Sequence, residues 1–147
     1  MVSFDVYPIG HVEKTGDITR IRVERRYCEA LLNLDRFSHA IVLWWIDKRD
    51  TPRDRSTIVV VPKAYGRIPE KSGVFACRSP ARPNPIGHSV VRVLSIDMDE
   101  CVVVVDQIDA YNGTPVIDIK PYMPSSDRVD GATVAPWFDN LDPRYTS

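Results

Sequence analysis

Apolar positions along this chain recur with the two-residue period of a strand far more often than with the period of a helix. Ile21 and Val23 alternate with Arg20, Arg22 and Glu24, the mark of a half-buried strand. Ala40–Ile46 (AIVLWWI) and Ile58–Val61 are unbroken apolar runs rich in β-branched and aromatic residues, so both read as strands covered on two sides. Val74–Cys77 enters a proline-rich loop and Ser89–Ile96 leaves it. Asp97–Glu100 (DMDE) reads as a tight turn into Cys101–Asp106, a hairpin lacking the usual glycine. Asn112-Gly113 is a stronger turn signal and leads into Pro115–Ile119. Helical patterns are confined to Tyr27–Leu34 and, for a turn or two, Thr133–Leu141. Asp47–Ser56 (DKRDTPRDRS) is a charged loop between strands of one core. About seven short strands with polar turns predict a mainly all-β fold, a twisted antiparallel sheet closed into a small barrel with a few short helices. One domain over 1–147 is expected.

The proline loop, Gly73–Arg92 (GVFACRSPARPNPIGHSVVR), carries the strongest chemical signal. Ser79, Arg82 and Asn84 each precede a proline, which fixes its own φ near −65° and drives its predecessor toward extended backbone. Polar groups held still in this way bind a ligand at lower entropic cost. A stiff crossover has no need of Arg78, Arg82 and Asn84 together, whereas an anionic or purine-like ligand wants such forked donors.

Charge refines this picture. The net charge is −1, yet residues 48–92 hold ten Lys and Arg against three acids, a balance of +7. Residues 93–147 hold ten acids against three basic residues, a balance of −7. The basic third is either a footprint for phosphates or the complement of the acidic segment, within one chain or between subunits. Apolar residues at 44% and charged residues at 27% are the profile of a soluble globular domain. No apolar run approaches the roughly 18 residues of a membrane span, and the N-terminus lacks a secretory pattern, so the cytoplasm is the expected compartment. Cys28, Cys77 and Cys101 form no CxxC pair and are odd in number, which speaks for buried small hydrophobes and against a disulfide framework.

The missing motifs are equally instructive. There is no Walker A sequence, no GxGxxG, no HExxH and no Gly-x-Ser-x-Gly elbow. His11, His39 and His88 lie far apart, so no metal site is expected.

Two segments together, Gly73–Ser89 (GVFACRSPARPNPIGHS) and Asn112–Asp127 (NGTPVIDIKPYMPSSD), resemble the signature segments of the TsaA-like or TrmO family, and Phe37–Ile46 (FSHAIVLWWI) is similar to a third. The resemblance runs from Pro8 to about Trp137. It implies a small β-barrel that is not Rossmann-like, forms a homodimer and binds S-adenosylmethionine near the subunit interface. The implied activity is methylation of the exocyclic nitrogen of threonylcarbamoyl-adenosine beside the anticodon of tRNA. The chain departs from the pattern at Cys77 (threonine is common), His88 (leucine), Asp47 (histidine) and Asn112 (aspartate). Longer members carry an N-terminal Pro-Arg-Gln segment, for which Glu13–Asp17 is too short. Bacterial members often add a C-terminal domain that contacts tRNA; without one, the barrel or another site on the dimer would have to recognise the RNA.

By this resemblance the methyl donor falls to Asp47, Lys48, Arg78, His88, Ile117, Asp118, Ile119 and Lys120. Asp118 and Lys120 alternate with the isoleucines and project to one face of their strand, where an ordinary cross-strand ion pair is the plainer reading outside the family. For the acceptor, Arg82 would take the threonyl carboxylate bidentately, Asn84 would read amide edges and Tyr122 would stack on a base or fill the barrel rim. Acylation makes the adenine nitrogen's proton more acidic, so a strong base is not required; Asp118 and Asp127 are the candidates for one. Two alternatives remain: a non-catalytic module binding S-adenosylmethionine or RNA, and a methyltransferase of a small metabolite.

Overall fold

The computed structural model describes residues 1–63, 68–139 and 141–143. Among the described residues eight strands form, β1 (Gly10–Thr15), β2 (Ile18–Val23), β3 (His39–Trp45), β4 (Val59–Val60), β5 (Ser72–Gly73), β6 (Ile86–Asp97), β7 (Val102–Val105) and β8 (Pro115–Pro121). Six of them close into an antiparallel barrel in the order β1-β2-β7-β6-β3-β8, and β4 pairs with β5 in a separate two-stranded sheet. Closure removes every free edge of the main sheet. The 12-residue β6 pairs with β3 through Ile86–Arg92 and with β7 through Val93–Asp97, bending at an irregularity between Val93 and Ser95.

Alternation decides what lies inside. Val12, Ile21, Ala40, Val42, Val91, Val103, Val105 and Val116 point inward and are at most 2% exposed. Their strand neighbours Ile41, Leu43, Val90 and His88 therefore project outward. The barrel has two distinct ends. At the end where β2 stops and β7 starts, a 3-10 helix at Arg25–Leu31 and a shorter one at Leu34–Arg36 bury Leu31 and Leu34 against the core. At the other end, where β3 stops and β6 starts, lie the charged and proline-rich loops.

Several expectations change. Tyr27–Leu34 forms 3-10 turns and no α-helix. Ile58–Val61 is not covered on two sides: only Val59–Val60 is strand, and Ile58, Val59 and Val61 are exposed. An apolar run cannot by itself announce whether anything packs on it. Val74–Ala76 is a 3-10 turn, and the strand before the proline loop is β5. The charged loop contains one turn of helix, α1 (Pro52–Arg55), which Thr51 caps through its hydroxyl. Of Thr133–Leu141, Pro136–Phe138 is a 3-10 turn and Asn140 lies outside the described residues, as do Arg67 and Arg144 of the charge balance. In the β6–β7 turn Cys101 takes the positive φ (+58°) that a glycine usually supplies, and Asp97 Oδ1 accepts from the amides of Asp99 (2.9 Å) and Glu100 (3.1 Å), holding the turn closed.

The cysteine reading also needs correction. Cys28 and Cys101 form a disulfide, with Cα atoms 5.3 Å apart across 73 residues of sequence, and only Cys77 is free. Spacing was uninformative because the barrel, not a local motif, brings the two together.

Candidate functional site

The open end of the barrel holds a cavity of about 950 Å³. Its floor is Trp44, Ile46 and Gly87, where β3 and β6 end. Gly87 is required there, because a Cβ would overlap the Trp44 ring that lies across it. Trp44 donates its indole N–H to the buried Ser89 Oγ (3.3 Å), which fixes the floor. One wall is the proline loop with Phe75, Cys77, Arg78, Ser79, Pro80 and Arg82; another is the β7–β8 connection with Asp109, Ala110, Tyr111 and Thr114.

The loop has almost no ladder hydrogen bonds, so side chains hold it. Arg82 Nη1 donates to the carbonyls of Cys77 (3.2 Å) and Ser79 (3.1 Å), stapling the turn from inside. Arg55 of α1 reaches across to the Pro83 carbonyl (2.9 Å) and to Asn84 Oδ1 (3.3 Å). These bonds, with the prolines, preorganise the wall. Among the described residues the Nε–Nη2 edge of Arg82 makes no bond, which leaves the forked edge of the guanidinium for a carboxylate.

Cations dominate the lining. Lys14, Lys48, Arg49, Arg78 and Arg82 face Asp47 and Asp109. Arg49 is engaged by Asp54 (3.0 Å), whose carboxyl it holds below the usual range, so the surplus rests on the other four. Lys48 lies over the Tyr111 ring, 4.9 Å from its centroid. Loss of surrounding water, and then the nearby Arg78 guanidinium, hold His88 below the ordinary imidazole range, so it is neutral at pH 7. Such a cavity accepts an anionic group at its mouth and an apolar or aromatic group at its floor.

Of the residues nominated from sequence, Asp47, Lys48, Arg78, Arg82 and His88 meet in this cavity. The others do not line it. Asp118 and Lys120 pair with each other (3.1 Å) on the outer face of β8, where Asp118 and His88 flank Leu43 in register on either side. Ile119 packs inward against the core. Asn84 is exposed and serves Arg55. Tyr122 sits at the far end of β8 with its ring edge-on to His39. Asp127 belongs to a single helical turn, Pro124–Asp127, where it accepts from the Met123 amide (2.8 Å). Sequence reasoning missed Lys14, Trp44, Phe75, Asp109 and Tyr111. Lys14 lay on a strand with no clear alternation, and Tyr111 directly precedes a quoted motif. No group of residues with metal-ligand geometry occurs among the described residues, and no helix among them is long and apolar enough to cross a membrane.

Comparison with known proteins shows the family and the fold. The family model for the tRNA-methyltransferase O N-terminal domain matches residues 6–128. A probable S-adenosyl-L-methionine-binding protein of Archaeoglobus fulgidus is 38% identical over 128 residues, 87% of this chain and 32% of that protein. Another, from Methanocaldococcus jannaschii, is 42% identical over 113 residues, 77% of this chain and 87% of that protein. The tRNA (adenine(37)-N6)-methyltransferase of Escherichia coli is 35% identical over 109 residues, and the match spans only 45% of it. The crystal structure of TrmO from Pseudomonas aeruginosa superposes with a TM-score of 0.68 at 27% identity, covering 90% of this chain and 61% of that one.

Proposed function

Because the chain belongs to the tRNA-methyltransferase O N-terminal domain family, we propose that it transfers a methyl group from S-adenosylmethionine to the exocyclic nitrogen of threonylcarbamoyl-adenosine beside the tRNA anticodon. The observation that carries this reading is the cationic, aromatic-floored cavity in which Asp47, Lys48, Arg78, Arg82 and His88 converge. In the reaction the nitrogen attacks the methyl carbon in line with the departing sulfur, the sulfonium becomes a neutral thioether and the nitrogen loses its proton. Positioning two reactants in a dry cavity supplies most of the acceleration such a displacement needs.

Asp47, Lys48, Arg78 and a neutral His88 hold the donor, whose own positive sulfonium would be repelled by a protonated imidazole. The Nε–Nη2 edge of Arg82 takes the threonyl carboxylate. Asp118 and Asp127 are the candidates for a base; Asp118 is paired with Lys120, and Asp127 closes its own helical turn. Asn84 and Tyr122 lie outside the cavity, and their part in acceptor binding requires RNA that extends beyond it.

The residues of β8 reach the donor through assembly. Ile41, Leu43 and Val90 project outward from the barrel beside Asp118 and Lys120 and remain partly exposed. An isologous dimer across this face would cover them and bring β8 of one subunit toward the cavity region of the other. Light scattering at micromolar concentration tests this, and a monomer that transfers methyl groups would refute the shared site. The enzyme works in the cytoplasm, where its RNA is found. In that compartment thiols keep most cysteine pairs reduced, and mass spectrometry of alkylated cell extract reads the state of Cys28–Cys101.

The decisive experiment incubates purified protein with S-adenosylmethionine and tRNA, with and without the threonylcarbamoyl group, and analyses the nucleosides by mass spectrometry. One added methyl is expected on the modified nucleoside alone. Saturable donor binding without transfer to either RNA would leave only a binding module.

A further inference from the structure

Tyr111 is an anomaly of the β7–β8 connection. Ile108, Ala110 and Thr114 around it are at most 6% exposed. The segment is pinned to β1 by bonds from the Lys14 amide to Asn112 Oδ1 (2.7 Å), the Gly113 amide to the Val12 carbonyl (2.7 Å) and the Val12 amide to the Thr114 carbonyl (2.9 Å). Gly113 supplies the positive φ (+86°) that the turn needs. On this hydrogen-bonded support Tyr111 is 73% exposed and lines the cavity. A single exposed apolar residue on a free loop carries no message. An aromatic residue set on a hydrogen-bonded turn and lining a cationic cavity is different. Lys48 occupies one face of the ring, so the exposed remainder offers a face to a planar ligand. Phe75, 86% exposed, lines the same cavity from the proline loop, so the opening is aromatic on two sides.

We infer that Tyr111 is the stacking platform for the acceptor's nucleobase, extruded from the RNA strand into the cavity mouth. The inference rests on the proposed action on tRNA and adds the residue that captures the base. Single-stranded bases are recognised by stacking on aromatic faces, and an enzyme acting on a base's edge must first take it out of its stack. A base on Tyr111 would carry its appended carboxylate into the cavity that Arg82 also lines. The donor's adenine is the competing occupant.

An anticodon stem-loop RNA with 2-aminopurine in place of the target adenine reads stacking directly, because its fluorescence is quenched when the base lies on an aromatic ring. The wild-type protein is expected to quench it on binding. Since base–aromatic stacking typically contributes about 1–3 kcal/mol, Tyr111→Ala should weaken stem-loop binding roughly tenfold and lose most of the quenching. Tyr111→Phe should stay within about twofold, and calorimetric affinity for S-adenosylmethionine should not change in either variant. Weakened donor binding in Tyr111→Ala would assign the ring to the donor and overturn the inference. Unchanged quenching in Tyr111→Ala would overturn it as well. The two readings separate cleanly: Tyr111-dependent quenching without methyl transfer sinks the enzyme and spares the platform, whereas methyl transfer indifferent to Tyr111 does the reverse.

Discussion

The two ends of the barrel are closed by opposite means. At one end, apolar side chains and a covalent link do the work: Leu31 and Leu34 are buried, and the Cys28–Cys101 disulfide ties the Arg25–Leu31 turns to the start of β7. At the other end, Val74, Ala81, Ile108 and Ala110 are buried beneath the loops, but most of the loop side chains above them are polar. The loops there are held by arginines bonded to carbonyls, by prolines and by the Asn112–Gly113 turn. A hydrophobic plug leaves no room for a ligand, whereas hydrogen-bonded loops can be rigid and still enclose a cavity. The candidate cavity lies at the hydrogen-bonded end.

Breaking the plugged end should have the largest effect on stability and the least on chemistry. The disulfide closes a loop of 73 residues, so reducing it in oxidised protein, or making Cys28→Ser, is expected to cost about 4 kcal/mol. Denaturant titration measures that loss, and methyl transfer well below the melting temperature should stay within about twofold. A collapse of activity in protein shown to be folded would mean that the two ends are coupled.

Arg82→Ala attacks the open end. It removes both the staple to Cys77 and Ser79 and the edge assigned to the acceptor, so kcat/KM on modified tRNA should fall by roughly 10²-fold or more. Because the staple also positions Arg78, some loss of donor affinity should accompany it. If steady-state kinetics show a change below threefold, Arg82 holds nothing that matters.

Arg78→Ala should act more narrowly. Among the described residues its guanidinium makes no loop hydrogen bond, so the loop should persist while donor binding weakens roughly tenfold, as measured by calorimetry. Full donor affinity in this variant alongside loss in Arg82→Ala would invert the two assignments.

The smallest effect concerns pH. The folded protein holds His88 below its ordinary value of 6.5, so above that pH both states are neutral and stability is complete. As pH falls through 6.5, the unfolded chain takes up a proton that the folded chain takes only at lower pH, and stability declines. His88→Gln should flatten the melting temperature between pH 7.5 and 5.5 relative to wild type. An equal slope in both proteins would show that His88 titrates normally.

By itself the sequence determined what depends on local pattern. Period-2 alternation marked β2, an apolar run marked β3, and the proline loop and the turns at Asp97–Glu100 and Asn112–Gly113 marked β6, β7 and β8, because these signals are written in neighbouring residues. The prolines and arginines of the Gly73–Arg92 loop announced a preorganised polar site for the same reason. Only the tertiary structure decided the rest. β1 (GHVEKT) has too little apolar alternation to be recognised and exists because β2 and β8 flank it. The Cys28–Cys101 pairing, the exposure of Ile58–Val61 and the meeting of Lys14, Trp44 and Tyr111 at one cavity join residues distant in sequence. Barrel closure sets such distances, and no window along the chain contains that information.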